Sequence, residues 1–326
     1  MLWLYVTLIS YFLFALSSIT DRYLLAGPLQ KPRAFAFYTG IVGGFATLLI
    51  FVDFVIPSTG FVIPFTDFIV PPAPVGFFAP APGIIFVSFV SGAAKIMGLY
   101  LLYRAIFHGN VSTAVPMVGA LTPLSTLFFA YILAGESFVI TIQGVLALVS
   151  LIIGSILVSL QITKHKFSFS GVVGTSAVGA AVFLGFSFVS AKIIFDSIGF
   201  LNGLVWISWG GVLFALSLLI FEETRDLVFE KNPMQQKNVW APVLIGKVAG
   251  GVGGFLQSYA VSIAQLVQVA FINALGGVQY LFLLFFAFIV SARDPEILKE
   301  HFTHASLGMR FAGTLFIGIG LALLVL

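Results

Sequence analysis

The sequence has no cysteine and very little charge. None of its 326 residues is Cys, and only 8% are Asp, Glu, Lys or Arg. The first absence removes disulfides, thiolate metal sites and cysteine nucleophiles together, and it leaves the compartment open. The second excludes more. A soluble domain carries roughly 25% charged residues, so this chain lacks the material for a wetted surface. Catalytic signatures are missing too. There is no His-Glu-x-x-His, no Gly-x-Ser-x-Gly, no Walker A loop and no pair of Asp at membrane depth. His108, His165, His301 and His304 all fall between the apolar runs. The expectation is a protein that is not an enzyme and uses no cofactor or metal.

What is present is hydrophobic. Such residues make up 60% of the chain, Phe alone numbers 37, and the mean hydropathy is +1.13. Runs of roughly 20 apolar residues are long enough to cross a bilayer. They fall near 2–20, 34–52, 83–104, 111–133, 139–160, 171–195, 200–221, 240–262, 265–290 and 306–326. The expected fold class is therefore an all-α integral membrane protein of about ten transmembrane helices, multi-pass and resident in the cell membrane. No positive charge precedes the first run, which reads as an uncleaved helix rather than a signal peptide. Residues 53–82 hold Pro57, Pro64, Pro71, Pro72, Pro74, Pro80 and Pro82, and that density excludes a continuous helix. An ordered external or re-entrant loop is expected there. Residues 222–239 are polar and read as a solvated loop.

Weak internal repetition divides the chain. Leu48-Leu49-Ile50-Phe51 recurs as Leu218-Leu219-Ile220-Phe221, an offset of 170, which also pairs Gly40 with Gly210 and Arg22 with Lys192. Ala105 and Ala260 align at an offset of 155. The expected units are two five-helix repeats, 1–165 and 166–326. Five is odd, so the second must be inverted, and the placement of positive charge agrees. Eleven of the fifteen basic residues follow odd-numbered runs: Arg22, Lys31, Arg33, Arg104, Lys164, Lys166, Arg225, Lys231, Lys237, Arg293 and Lys299. None follows an even-numbered run. The positive-inside bias then puts the odd connections in the cytoplasm and both termini outside. The sequon Asn110-Val111-Ser112 lies in one such basic connection, so no glycan is expected there.

Several short motifs look familiar. Leu101-Leu102-Tyr103-Arg104-Ala105-Ile106 is followed by Val111-Ser112 through Pro116, then Leu121-Thr122-Pro123-Leu124 and Ala134-Gly135-Glu136. Together with Gly144 and Gly154, these resemble the EamA-type core of the drug/metabolite transporter superfamily. Gln257-Ser258-Tyr259-Ala260, Asn273-Ala274-Leu275, Gly313 and Gly320 form a degraded second copy. The resemblance spans nearly the whole chain and implies ten helices, two inverted halves and alternating access around a central cavity. There are two departures. Ser291 stands near where the second copy's Glu would fall, and the family's termini are usually cytoplasmic, against the charge bias here.

Ionisable groups at membrane depth are costly, so each is a functional hypothesis beside a structural one. Lys95 lies near the middle of its run, at helical spacing with Ser88, Ser91, Gly92 and Gly98 on a small, polar face expected to line a cavity. It could bind an anionic group or join proton coupling, or it could bond the carbonyls of a broken helix. Lys247, placed by the repeat opposite Gly92, could act with Lys95 or snorkel to the interface. Gln257, Tyr259, Asn273, Tyr280 and Tyr100 could hold substrate or stitch helices. Pro116 and Pro123 each free a carbonyl and could break a helix at the binding site or merely kink it. Glu136 reads as a structural cap, and Gly250 with Gly254 as a close helix contact. Lys192 and Arg310 read as interfacial.

Two cations near an axis favour an anionic or zwitterionic metabolite, such as an amino acid, an organic acid or a nucleotide-like molecule. Expected partners are the lipid bilayer, that small molecule, a proton or counter-substrate, and a second copy in a homodimer; nucleic acid is not expected. An intramembrane enzyme, a channel or a structural membrane protein stand as alternatives to a secondary transporter.

Overall fold

The computed structural model describes residues 1–26, 32–48, 77–108, 111–134, 140–159, 171–229, 240–291 and 304–325. Among these residues all regular structure is helical. In chain order the helices are α1 (Leu2–Ala26), α2 (Pro32–Gly43), α3 (Pro82–His108), α4 (Val111–Ala134), α5 (Ile142–Ser159) and α6 (Gly171–Ile198). They continue as α7 (Phe200–Ser217), α8 (Glu222–Phe229), α9 (Trp240–Ile263), α10 (Gln268–Ala274), α11 (Gly276–Ser291) and α12 (His304–Val325). A helix satisfies its backbone polar groups internally, which an apolar chain in lipid must do. Among the described residues, three stretches are long and apolar enough to cross a membrane: Pro82–His108, Gly171–Ile198 and Phe200–Ile220. Shorter apolar helices run over Leu2–Ser18, Met117–Leu133, Ile142–Leu157 and Phe311–Leu324. Large apolar side chains such as Phe86, Ile142 and Phe311 stand exposed. A soluble monomer rarely displays so much apolar surface; this is an all-α membrane protein.

Small residues set the packing. The most extensive helix contacts are α1 with α9, α3 with α6, and α5 with α12. A Cβ on Gly98 of α3 would lie 2.8 Å from Leu184 of α6, and one on Gly253 of α9 would lie 3.2 Å from Phe14 of α1. In the α5–α12 pair, Gly154 meets Gly313 and Ile317 while Gly320 meets Ala147 and Leu151. Without a hydrophobic force between helices in lipid, such close backbone approach supplies the dispersion energy of association. Side chains lacking on glycine here are lacking for a steric reason. α6 passes to α7 through Gly199 alone, at φ 80°, a left-handed conformation that L side chains resist.

Four elements differ from the sequence expectation. The first polar turns of 222–239 form the helix α8. The ninth run is not one helix: α10 and α11 meet at a break around Leu275, with glycines next in line at Gly276 and Gly277. α4 runs unbroken past both Pro116 and Pro123, so neither proline opens a gap in it. Both α2 and α7 end in a 3-10 turn, Gly44–Thr47 and Leu218–Ile220. The proline-rich residues 53–76 and Glu136 lie outside the described residues, as do the side chains of Pro116, Tyr280 and Arg310.

Candidate functional site

The small face of α3 is consumed by packing rather than open to a cavity. Ser91 Oγ donates to the carbonyl of Ser187 at 3.2 Å and accepts from Ser190 Oγ at 2.9 Å. Ser88 donates to Ile84 one turn back and is fully buried. Gly92 lies against the backbone of α7 at Ile207, Gly210 and Gly211, and Gly210 against that of Phe89. Gly98 takes Leu184 of α6. At 100° per residue, Lys95 projects from the sector between its α6-facing side (Ser91, Gly98) and its α7-facing side (Gly92, Ile96). It is partly buried, and among the described residues its Nζ has no hydrogen bond and no carboxylate partner.

Lys247 projects from α9 on the side adjoining the face given to α1. Gly250 meets Ser17 and Gly253 meets Phe14 and Leu13 on that α1 face, while a Cβ on Gly254 or Gly251 would meet nothing within 4 Å. The close pair is therefore Gly250 with Gly253, not Gly250 with Gly254, because Gly254 turns away from α1. Lys247 Nζ sits 4.2 Å above the ring of Phe35 in α2. The same ring packs edge-on against Tyr103 of α3, centroids 4.6 Å apart. Tyr103 is eight residues beyond Lys95, or about 12 Å of helix rise. Lys247 thus lies where α9 meets α2, and Lys95 stands roughly two turns away along α3, between its contacts with α6 and α7.

The remaining candidates are tied into the bundle. Gln257 Nε2 donates to Tyr11 Oη at 3.2 Å, and that hydroxyl donates to the carbonyl of Ile272 at 2.8 Å. This chain of two bonds joins α9, α1 and α10. Asn273, buried, donates to Thr126 Oγ1 at 2.9 Å and so stitches α10 to α4. Tyr259 is buried edge-on against Phe200, 5.4 Å between centroids. Tyr100 packs beside the cluster of Phe37, Ile96 and Ala215, where α2, α3 and α7 meet. Pro123 is buried within α4. Trp206 and Trp209 stack among themselves and Phe77, with indole N–H groups bonded to Phe78 O and Thr47 Oγ1.

Lys192, six residues before the end of α6, turns into the bundle. It is buried, and its Nζ donates to Asp196 Oδ1 at 2.6 Å and to Ser262 O at 2.9 Å. Ser262 is in the last turn of α9, whose carbonyls have no intrahelical partner. The lysine caps that end with the charge its dipole favours, a role that depends on a contact 70 residues away. Phe35 and Tyr11 were also missed by sequence reasoning. Tyr11 is one of several polar groups in the first apolar run, with Tyr5, Thr7, Ser10 and Ser17, and nothing in the sequence singles it out.

No protein-family model matches the sequence, and none of the curated proteins compared with it does. One solved crystal structure, described only as that of a protein, is similar at a TM-score of 0.65. The likeness covers 98% of this chain and 97% of that chain at 14% identity, which speaks to the fold alone.

Proposed function

We propose that the chain is a secondary active transporter with ten membrane spans in two inverted five-helix repeats. It moves a small anionic or zwitterionic metabolite across the cell membrane by alternating access. The repeat reading draws its support from contacts that recur in register. The offset of 155 maps Gly98 to Gly253, and the offset of 170 maps Phe14 to Leu184, so the Gly98–Leu184 and Gly253–Phe14 contacts are one contact made twice. An offset of 166 maps Gly154, Ala147 and Leu151 to Gly320, Gly313 and Ile317, which again exchanges two observed contacts. Relations of this kind across an axis are the architecture of inverted-repeat transporters. The resemblance to EamA-type transporters points the same way.

The observation that carries the function is Lys95. A cation in the middle of a membrane-length helix, without a carboxylate or hydrogen-bond acceptor among the described residues, is stabilised by an anion that arrives from outside the protein. Lys192 gives the contrast, since its partners are internal. Uptake of labelled amino acids, organic acids and nucleotides into proteoliposomes tests the proposal. Saturable uptake of an anionic or zwitterionic member is expected, and chemical turnover in detergent with no flux would contradict it. Reporter fusions at the termini test the orientation, and a cytoplasmic N-terminus would reverse it.

A further inference from the structure

The two ends of the bundle are packed differently. At the end that carries the Gly199 turn, buried residues of α1, α5, α6, α7, α9 and α10 belong to one continuous core. Toward the other end the described residues form two separate smaller cores, one of α3, α4 and α6 and one of α2, α3 and α7. Phe200, the first residue of α7, is the hub where α6, α7 and α9 converge. It is buried, and its ring meets those of Phe195, Phe255 and Tyr259 edge-on, with centroids 5.4, 5.3 and 5.4 Å apart. Two glycines permit this. Gly199 turns α6 back into α7 within one residue, and a Cβ on Gly203 would lie 2.6 Å from the Phe195 ring. Just below Phe255 the packing ends: Gly254 is partly buried, yet a Cβ there would meet nothing within 4 Å.

We infer that Phe200 is the plug of a closed gate: its ring contacts seal the Gly199 end between α6, α7 and α9, and opening that end requires Phe200 to leave the two rings of α9. The inference rests on the alternating-access reading and adds to it which end is shut and the side chain that shuts it. The first repeat has no such set. Offsets of 170 and 155 place Leu25, Gln30, Tyr100 and Arg104 opposite Phe195, Phe200, Phe255 and Tyr259, one ring against four. Edge-to-face ring pairs stabilise beyond the area they bury, so the resting equilibrium favours closure at the Gly199 end.

The chain has no cysteine, so single reporters can be introduced directly. Ser197→Cys, exposed beside the turn, marks access of a membrane-impermeant maleimide to the Gly199 end. In proteoliposomes where that control reacts, Gly254→Cys is expected to be protected from the same side. Adding Phe200→Ala should speed its labelling by about tenfold, because the ring contacts are lost from the closed state alone. Phe255→Leu removes one contact and should give about threefold, which keeps the test alive where Phe200→Ala fails to fold. Lys192→Met loosens the nearby tie between α6 and α9 without touching the rings and should leave Gly254→Cys protected. Ready labelling without Phe200→Ala, unchanged protection in both ring variants, or equal exposure by Lys192→Met would each overturn the inference. Labelling needs no solute. Exposure by Phe200→Ala without flux of any solute would therefore refute transport and leave the plug, and flux with fixed labelling would do the reverse.

Discussion

Lys192 and Lys95 lie in neighbouring helices, about two turns apart in depth, and live in opposite surroundings. Lys192 is satisfied twice, by Asp196 and by the frayed end of α9, and it ties α6 to α9. Lys95 shares its helix with serines that are all spoken for, yet among the described residues its own Nζ has no hydrogen bond. The first lysine contributes to stability through its contacts. The second carries a desolvation cost that no partner among the described residues offsets, and a lysine of that kind in a membrane-length helix is a functional hypothesis by default. Charge at membrane depth is therefore not one signal but two, told apart by partners.

Substitutions can break or sharpen that contrast. The largest effect is expected from Lys95→Met, which should reduce uptake of the transported anion by about a hundredfold, since losing one partner of a desolvated charge pair costs roughly 2–5 kcal/mol. Its thermal unfolding midpoint should hold or rise, because an apolar group replaces a buried ion lacking an internal partner. Lys192→Met should do the reverse. Ser262 O loses its donor, and unfolding in detergent should show a loss of about 1–3 kcal/mol, with uptake by the surviving folded fraction unchanged.

Asn273→Leu probes a neutral buried bond. It removes the donor to Thr126 Oγ1, and helix-to-helix hydrogen bonds in membranes average about 0.6 kcal/mol, so a drop of a degree or two in the midpoint is expected. Asp196→Asn should matter least. Its side chain is 58% exposed, and exposed ion pairs are worth about 0–1 kcal/mol. Lys192 would keep its bond to Ser262. A loss from Asp196→Asn as large as that from Lys192→Met would mean that the carboxylate, not the helix end, is the partner that counts.

Much of the architecture was legible because it depends on local length and polarity. The apolar runs near 83–104, 171–195 and 200–221 correspond to the three membrane-length stretches, and the tight turn at Gly199 falls between two of them. The misreadings were tertiary. Asn273 and the pair Gly276-Gly277 flank the break near Leu275, but such residues also sit inside unbroken spans, so they did not mark it as one. The acidic start of α8 looks like any solvated loop.

Site residues were harder for the same reason. Helical spacing grouped Ser88, Ser91, Gly92 and Gly98 with Lys95 correctly as a small face, but spacing cannot say whether such a face meets water or another helix. Here it meets α6 and α7. Likewise Gly250, Gly253 and Gly254 are alike in sequence, and only the position of α1 decides which two make the close contact. Lys192 read as interfacial because its partner carbonyl at Ser262 is distant in the chain.

The central claim is that an external anion completes the surroundings of Lys95. The most direct test compares wild-type protein and Lys95→Met, matched for folded content, in proteoliposomes given labelled anionic and zwitterionic metabolites. Saturable uptake of one such solute by the wild type, lost in Lys95→Met while Lys192→Met retains it per folded molecule, is the predicted result. Equal uptake by wild type and Lys95→Met would contradict it.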